Sequence, residues 1–279
     1  MTIQVITDST ADIPPEIIKQ LNIRIVPIYV RFGNKTYRDG IDINSEEFYT
    51  MLESSPIYPA TSQPNPEDFV GTYNEYRDSS DGIISIHISS RISGTYNSAA
   101  TAKQSMESDC PIEVIDSKFN SSGLGLIAIA AARLAQSGAD MHMILDEVDL
   151  AIHQMRMFGM FEHMKYLARS GRVSKAIASA ANFLNVMPLL TFHDGELARA
   201  GFVRKVEKGM DRIYEYVKKN LPVSELAIVH SAVLERAEIL KERCAGFIDK
   251  EKITISELGA SLGVHGGPGV LLVAARHSG

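Results

Sequence analysis

The sequence predicts an α/β protein of two domains: an N-terminal α/β/α domain built on a parallel sheet, and a C-terminal α/β domain with a largely antiparallel sheet. Three observations carry this expectation. Short β-branched apolar runs alternate with longer helical patterns through the first half, the rhythm of βαβ units. Beyond about residue 158 the alternation loosens, and His193-Asp194-Gly195-Glu196 separates two strand-like runs with Asp-Gly, the strongest short hairpin signal. A chain of 279 residues, 45% hydrophobic and 22% charged, is long enough for two cores and too apolar for extended disorder. The expected division is 1–157 and 158–279.

The elements follow in order. Ile3 to Thr7, Ile23 to Val30, Ile83 to Ile88 and Ile112 to Ile115 are nearly free of charge, as strands buried on both faces must be. Helical patterns run over Pro15 to Gln20, Pro66 to Arg77, Ser93 to Met106 and Ser121 to Gln136. Asp12 before Pro14-Pro15, and Asn65 before Pro66, read as helix starts, because proline's missing N–H is tolerated in the first turn. A helix from about Asp140 to Met157 is expected to bridge the halves. Beyond it come a helix at Ile177 to Asn182, strands at Val186 to Phe192 and Leu197 to Phe202, and a helix at Lys205 to Lys218. Strands at Leu226 to His230, Ile253 to Glu257 and Val270 to Ala274, and a helix at Leu234 to Cys244, complete the chain.

Composition narrows the function. The net charge of −6, with no long basic block, argues against a nucleic-acid surface. Two distant cysteines, Cys110 and Cys244, suggest neither a disulfide framework nor a zinc site, and the eight histidines are dispersed. The N-terminus lacks a basic, apolar leader, and the longest apolar stretch, Leu124 to Ala132, is too short to span a membrane. The expectation is a cytoplasmic protein without a metal or transmembrane segment.

Several tracts could carry chemistry. Gly259-Ala260-Ser261-Leu262-Gly263 matches the G-x-S-x-G nucleophile elbow, but Val264-His265-Gly266-Gly267-Pro268-Gly269 reads as poor helix where an elbow requires one. Gly123-Leu124-Gly125-Leu126-Ile127-Ala128 fits a dinucleotide loop, with close helix packing as the competing reading. Two strands run into Asp-Ser, at Asp8-Ser9 and Asp116-Ser117, on the sheet edge where open α/β folds bind ligands. Ile88-Ser89-Ser90-Arg91-Ile92-Ser93-Gly94-Thr95 carries a buried strand through a hydroxyl-rich loop into a helix, which can cradle an anion or simply cap the helix. His265 lies in a glycine-rich stretch that lets backbone approach a ligand. Six of eleven methionines, Met141, Met143, Met155, Met157, Met160 and Met164, fall together. They suit an irregular apolar tunnel or ordinary core.

These tracts resemble the DegV family of bacterial fatty-acid-binding proteins. The matching residues are Ile6-Thr7-Asp8-Ser9-Thr10-Ala11-Asp12-Ile13-Pro14, Ala60-Thr61-Ser62-Gln63-Pro64, Ser93-Gly94-Thr95-Tyr96, Tyr166-Leu167-Ala168-Arg169-Ser170-Gly171-Arg172 and the glycine-rich tract around His265. The resemblance implies two α/β domains with one long-chain fatty acid between them, no further cofactor, and a carboxylate held by Thr61, Ser93 with Gly94, and His265. It also implies that the chain is not itself an enzyme. It would carry the acyl group for a fatty acid kinase, whose ATP-binding subunit makes an acyl phosphate for phospholipid synthesis. Arg204, with Arg199 as its rival, would face that partner. Candidate tail-lining residues are Met157, Phe158, Phe161, Ile177, Phe183, Leu184 and Leu190.

Residue chemistry agrees with such a ligand. Hydroxyls, a helix-start N–H and an imidazole supply the donors a buried carboxylate needs. Burying roughly 14 methylenes at about 0.8 kcal/mol each offers on the order of 11 kcal/mol before association costs. The competing class is an acyl hydrolase or transferase using Ser93 or Ser261 with His265. A kinase subunit acting on a small polyol is a third class, resting on architecture alone.

Overall fold

The computed structural model describes residues 1–173 and 186–278. Strands β1 (Ile3–Asp8), β2 (Arg24–Val26), β6 (Gly82–His87) and β7 (Ile112–Asp116) form a four-stranded parallel sheet in the order β2-β1-β6-β7. β1 and β6 are buried along their whole length, which is why they carry apolar side chains on both faces. Helices α3 (Pro66–Tyr76), α4 (Thr95–Ser105) and α5 (Ser121–Gln136) pack against this sheet, and α1 (Pro15–Gln20) lies between β1 and β2 in the chain.

The run from Ile23 to Val30, expected as one strand, is two. Pro27 has no N–H to give a ladder, and the chain leaves the parallel sheet there. β3 (Tyr29–Phe32) instead pairs antiparallel with β4 (Lys35–Arg38) and β5 (Ala60–Ser62) in a small sheet of order β4-β3-β5. Helix α2 (Ser45–Ser54) packs on it, started by a capping box in which the Asn44 side chain accepts from Glu47 N–H and Glu47 accepts from Asn44 N–H.

Helix α6 (Met141–Gln154) ends before the predicted Met157, and β8 (Met155–Met160) follows without a loop. The expected division after residue 157 therefore cuts a strand, and the changeover between sheets lies between Gln154 and Met155. After α7 (Met164–Ser170), the chain forms β9 (Met187–His193), β10 (Glu196–Val203), β11 (Val223–His230), β12 (Ile253–Glu257) and β13 (Leu271–His277). With β8 they make a six-stranded sheet, β10-β9-β8-β13-β11-β12, antiparallel except for the β11–β12 pair. Asp194 and Gly195 both have positive φ (49° and 84°), as a two-residue hairpin turn of this hand demands. Helices α8 (Val206–Lys219) and α9 (Leu234–Cys244) cover one face, and α10 (Ala260–Gly266) follows β12. The predicted helix Ile177 to Asn182 lies outside the described residues.

One core runs between the two large sheets. Val5, Ile84 and Ile86 from the first join Leu124, Ile127 and Ala128 of α5 and Val229, Leu272 and Ala274 from the second. The two glycines of the dinucleotide-like tract lie inside α5, where a Cβ on Gly125 would run into the Ala11 carbonyl and one on Gly123 into the Met157 sulfur. Close packing explains them.

Candidate functional site

Three segments far apart in sequence meet at the junction of the sheets. Thr61 lies in β5, paired in register with Val30. Ser93 and Gly94 close the loop from β6 to α4, and His265 occupies the last turn of α10. Thr61 Oγ1 and His265 Nε2 are 2.9 Å apart although separated by 204 positions. Ser93 and Gly94 line the same cavity of about 320 Å³ as Thr61 and His265. The α4 helix begins at Thr95, so Ser93 lies ahead of it rather than inside it as expected. The Ser93 hydroxyl accepts from Thr95 N–H at 3.3 Å and sits 2.9 Å from Thr95 Oγ1.

Local packing fixes each segment. Ser89 O–H donates to Gly195 O at 2.7 Å, and Ser93 N–H donates back to Ser89 O, pinning the loop to the β9–β10 hairpin. The side-chain amide of Gln63 lies where a Cβ on Gly94 would be, 2.5 Å from that position. Helix α10 forms where the sequence reads as poor helix. Its glycines are needed for approach rather than propensity: Gly263 lies under the Phe48 ring, and Gly267, at φ 70°, under the Tyr166 ring. Tyr58 O–H donates to Val264 O at 2.6 Å, Tyr58 stacks on Tyr166, and the Arg169 guanidinium lies 4.8 Å from the Tyr58 ring centre.

Burial, with the Arg172 charge in second place, pushes the His265 imidazole down to about 4. It is therefore neutral at neutral pH, with one ring N–H and one bare nitrogen. Arg91 and Arg172 also line the cavity, and among its described lining residues there is no Asp or Glu, so the local field favours an anion.

A second cavity, of about 60 Å³, adjoins the first, the two sharing walls at Asn120, Leu197, Leu262 and His265. Met157, Phe158, Phe161 and Leu190, all named from the sequence, line it. Ile177, Phe183 and Leu184 lie outside the described residues. Leu167, Phe192, Leu258 and Leu272 complete an almost wholly apolar wall. The arrangement offers a polar end with hydroxyl and imidazole donors and a hydrocarbon-lined end, the chemistry that accepts an amphiphile.

Other candidates do not meet here. Arg199 is exposed on β10 with its guanidinium 5.9 Å from the Phe202 ring centre, and Arg204 is exposed just past the end of β10. Of the clustered methionines, only Met157 lines the apolar cavity. The His265 Nε2 bond is to Thr61 and the Ser93 hydroxyl is engaged with Thr95, so no serine–histidine bond joins them. Among the described residues no group of three His, Cys, Asp or Glu could hold a metal, and no helix is long and apolar enough to cross a membrane.

A family pattern described as "Uncharacterised protein, DegV family" matches residues 2–277. The chain belongs to the DegV family. A DegV domain-containing protein of Caldanaerobacter subterraneus subsp. tengcongensis is 35% identical over 272 residues, 95% of each chain. Among solved structures, a fatty-acid-binding DegV family protein from Thermus thermophilus superposes with a TM-score of 0.91 at 29% identity over the full length of both chains. The fatty-acid-binding DegV of Bacillus subtilis gives 0.89 at 33%, again over both full lengths. The DegV fold, a parallel sheet joined to a largely antiparallel one, is thus shared end to end.

Sequence reasoning missed Asn120, Arg172, Leu197 and Leu262 as cavity residues. Arg172 was within reach, since it closes the Tyr166 to Arg172 motif; Leu262 sits in the elbow-like tract, Leu197 in a strand-like run, and Asn120 carries no signal of its own.

Proposed function

We propose that this DegV protein binds one long-chain fatty acid, its tail in the apolar cavity and its carboxylate at Thr61, Ser93, Gly94 and His265. The observation that carries the proposal is the Thr61–His265 bond where a hydroxyl-rich cavity adjoins an apolar one. Fatty-acid binding by the Thermus thermophilus and Bacillus subtilis relatives supports it.

A carboxylate only accepts, so the hydrogens must run toward it. The neutral His265 donates from Nε2 to Thr61 Oγ1, which frees the Thr61 hydrogen for the ligand. That tautomer leaves Nδ1 bare, and Nδ1 is buried without a partner. The Ser93 hydroxyl, whose oxygen already accepts from Thr95 N–H, supplies a second donor. Arg91 and Arg172 add positive charge, and none of these groups must deprotonate to serve.

The acyl group bound in this way is presented to a fatty acid kinase. The partner transfers the terminal phosphoryl group of ATP to a carboxylate oxygen, releasing ADP, and the acyl phosphate passes to phospholipid synthesis. The exposed Arg204 and Arg199 offer cationic contacts for that subunit. This chain contributes position, holding one oxygen at the cavity mouth while the tail is sequestered.

Denaturing extraction and mass spectrometry of the purified protein test the binding step, with about one fatty acid per chain expected. A lipid-free protein that also rejects added oleate would overturn it. The kinase step is tested by mixing loaded protein, ATP and a bacterial fatty acid kinase subunit: acyl phosphate should form only with both proteins present, and Arg204→Ala should weaken their association. A serine-reactive fluorophosphonate that labelled Ser93 or Ser261 specifically would turn the reading to a hydrolase.

A further inference from the structure

We propose that Asp39, with Asp12, is a positioning residue for the carboxylate site: it fixes the helix that carries His265 against the strand region that carries Thr61. This rests on the fatty-acid reading above.

Helices are usually capped from within, by a Ser, Thr, Asp or Asn at the N-cap. The N-cap of α10 is Gly259, which has no side chain to offer. Its three leading N–H groups are taken instead by the carboxyl oxygens of two acids more than 200 positions away. Gly259 N–H donates to Asp12 Oδ1 at 2.9 Å, Ala260 N–H to Asp39 Oδ1 at 3.2 Å and Ser261 N–H to Asp39 Oδ2 at 3.2 Å. A local cap would stabilise the helix without placing it. A remote cap does both.

Both acids are themselves held. Asp39 Oδ2 also accepts from Ser9 O–H at 2.9 Å, and the Ser9 oxygen accepts from Ile28 N–H at 3.0 Å. Asp12 Oδ2 accepts from Ser121 O–H at 2.6 Å. Asp12 follows β1 in the parallel sheet, while Asp39 follows β4 of the small sheet that also holds Thr61 in β5. The two partners of the Thr61–His265 bond are thus tied to one another through Asp39 as well as directly.

Transmission along α10 needs no hinge. From Ala260 to His265 is little more than one helical turn, about 7.5 Å of rise, and a helix of seven residues has no independent stability with which to absorb a shift. Asp12 and Asp39 are only 8% and 4% exposed. Burying two carboxyl groups side by side is unfavourable, and burial raises both above the usual carboxylate range, Asp12 to about 8. A fold that needed only a capped helix would place one serine at 259.

The test compares oleate with oleyl alcohol, which share a tail and differ at the head, on delipidated full-length protein. Asp39→Asn keeps the shape but turns an amide N–H₂ toward a helix N–H. It should lower the preference for oleate over oleyl alcohol by about tenfold, through loss of oleate affinity, as expected for a lost charge-assisted contact. By NMR the His265 titration midpoint should move up from about 4 toward the ordinary value. Ser9→Ala, which leaves the carboxylate in place, should shift both readouts the same way by a smaller amount and covers the case in which Asp39→Asn does not fold. An unchanged head-group preference with an unchanged His265 midpoint in the folded variants would overturn the proposal, as would equal losses for both ligands. If wild-type protein binds neither ligand, the fatty-acid reading fails, and the His265 midpoint alone decides the positioning role.

Discussion

His87 and His265 are both imidazoles bonded to a hydroxyl, and their surroundings separate a closed structural network from the group proposed to bind the ligand. His87 Nδ1 meets Asp8 Oδ2 at 3.0 Å and its Nε2 meets Ser85 Oγ at 2.7 Å, while Tyr73 O–H donates to Ser85 Oγ at 3.0 Å. Serine, histidine and aspartate stand at catalytic-triad distances, yet all are fully buried and the serine oxygen is already occupied. His265 has one nitrogen bonded and the other unpartnered, and it borders a cavity. Residue types do not mark the site here; unfinished hydrogen bonding beside open volume does.

The sharpest way to break this contrast is to remove an acid from the closed network. Asp8→Ala strands the His87 Nδ1, the Ile88 N–H and the Thr10 N–H and hydroxyl, all of which bond that carboxylate. A loss of about 3–5 kcal/mol is expected, read by denaturant unfolding, because buried partners are left unpaired. Unfolding free energy within about 1 kcal/mol of wild type would mean that the network is dispensable.

Thr61→Val probes the open member of the pair. It removes one proposed ligand donor and the acceptor of the His265 N–H, so oleate affinity should fall by roughly 1.5–3 kcal/mol, while stability falls by only about 1 kcal/mol. Isothermal titration beside a thermal melt separates the two effects. A stability loss exceeding the affinity loss would class Thr61 with the His87 network.

The pH dependence of stability gives a third, smaller test with opposite signs at two groups. His265 is depressed to about 4 from 6.5, so the folded state binds fewer protons than the unfolded one across that window, and this group makes stability rise with pH there. Asp12 is raised to about 8 from 3.8, so the folded state binds more protons and stability is lost as pH rises through that range. The two oppose each other below 6.5. Between 6.5 and 8 Asp12 acts without that opposition, with a slope of at most about 1.4 kcal/mol per pH unit. Asp12→Asn should flatten the decline over that interval in urea titrations at stepped pH; an unchanged slope would place the proton elsewhere.

The same contrast governs what could be read in advance. Strands β1 and β6 were legible because they are buried along their whole length and carry apolar side chains on both faces, and β12 because isoleucine alternates with polar residues. β8 was not, because Met155-Arg156-Met157-Phe158-Gly159-Met160 continues the preceding helical pattern and only its pairing with β13 and β9 decides it. The small sheet escaped notice because its strands are short and β4 and β5 are mostly exposed, so no alternation stands out. Asp12 read as a local cap for the proline helix, but it sits in the left-handed region at φ 47° and caps a helix 247 positions away. Ser93 and His265 stand out in their own tracts, but only the resemblance joins them with Thr61 into one set. No spacing rule joins a short strand, a loop and a seven-residue helix.

Gly94→Ala carries the smallest expected effect and asks how rigid the open site is. The glycine φ of −80° suits any residue, so no backbone strain arises, and the three atoms nearest the added methyl all belong to the end of an exposed Gln63 side chain. The Gln63 amide must swing away from the cavity it lines. Because a flexible, solvated side chain yields readily, stability should change by less than about 1 kcal/mol, with oleate affinity reduced no more than about fivefold. A larger affinity loss at unchanged stability would show that Gln63 holds the carboxylate directly, and would add a donor to the set assigned to Thr61, Ser93 and His265.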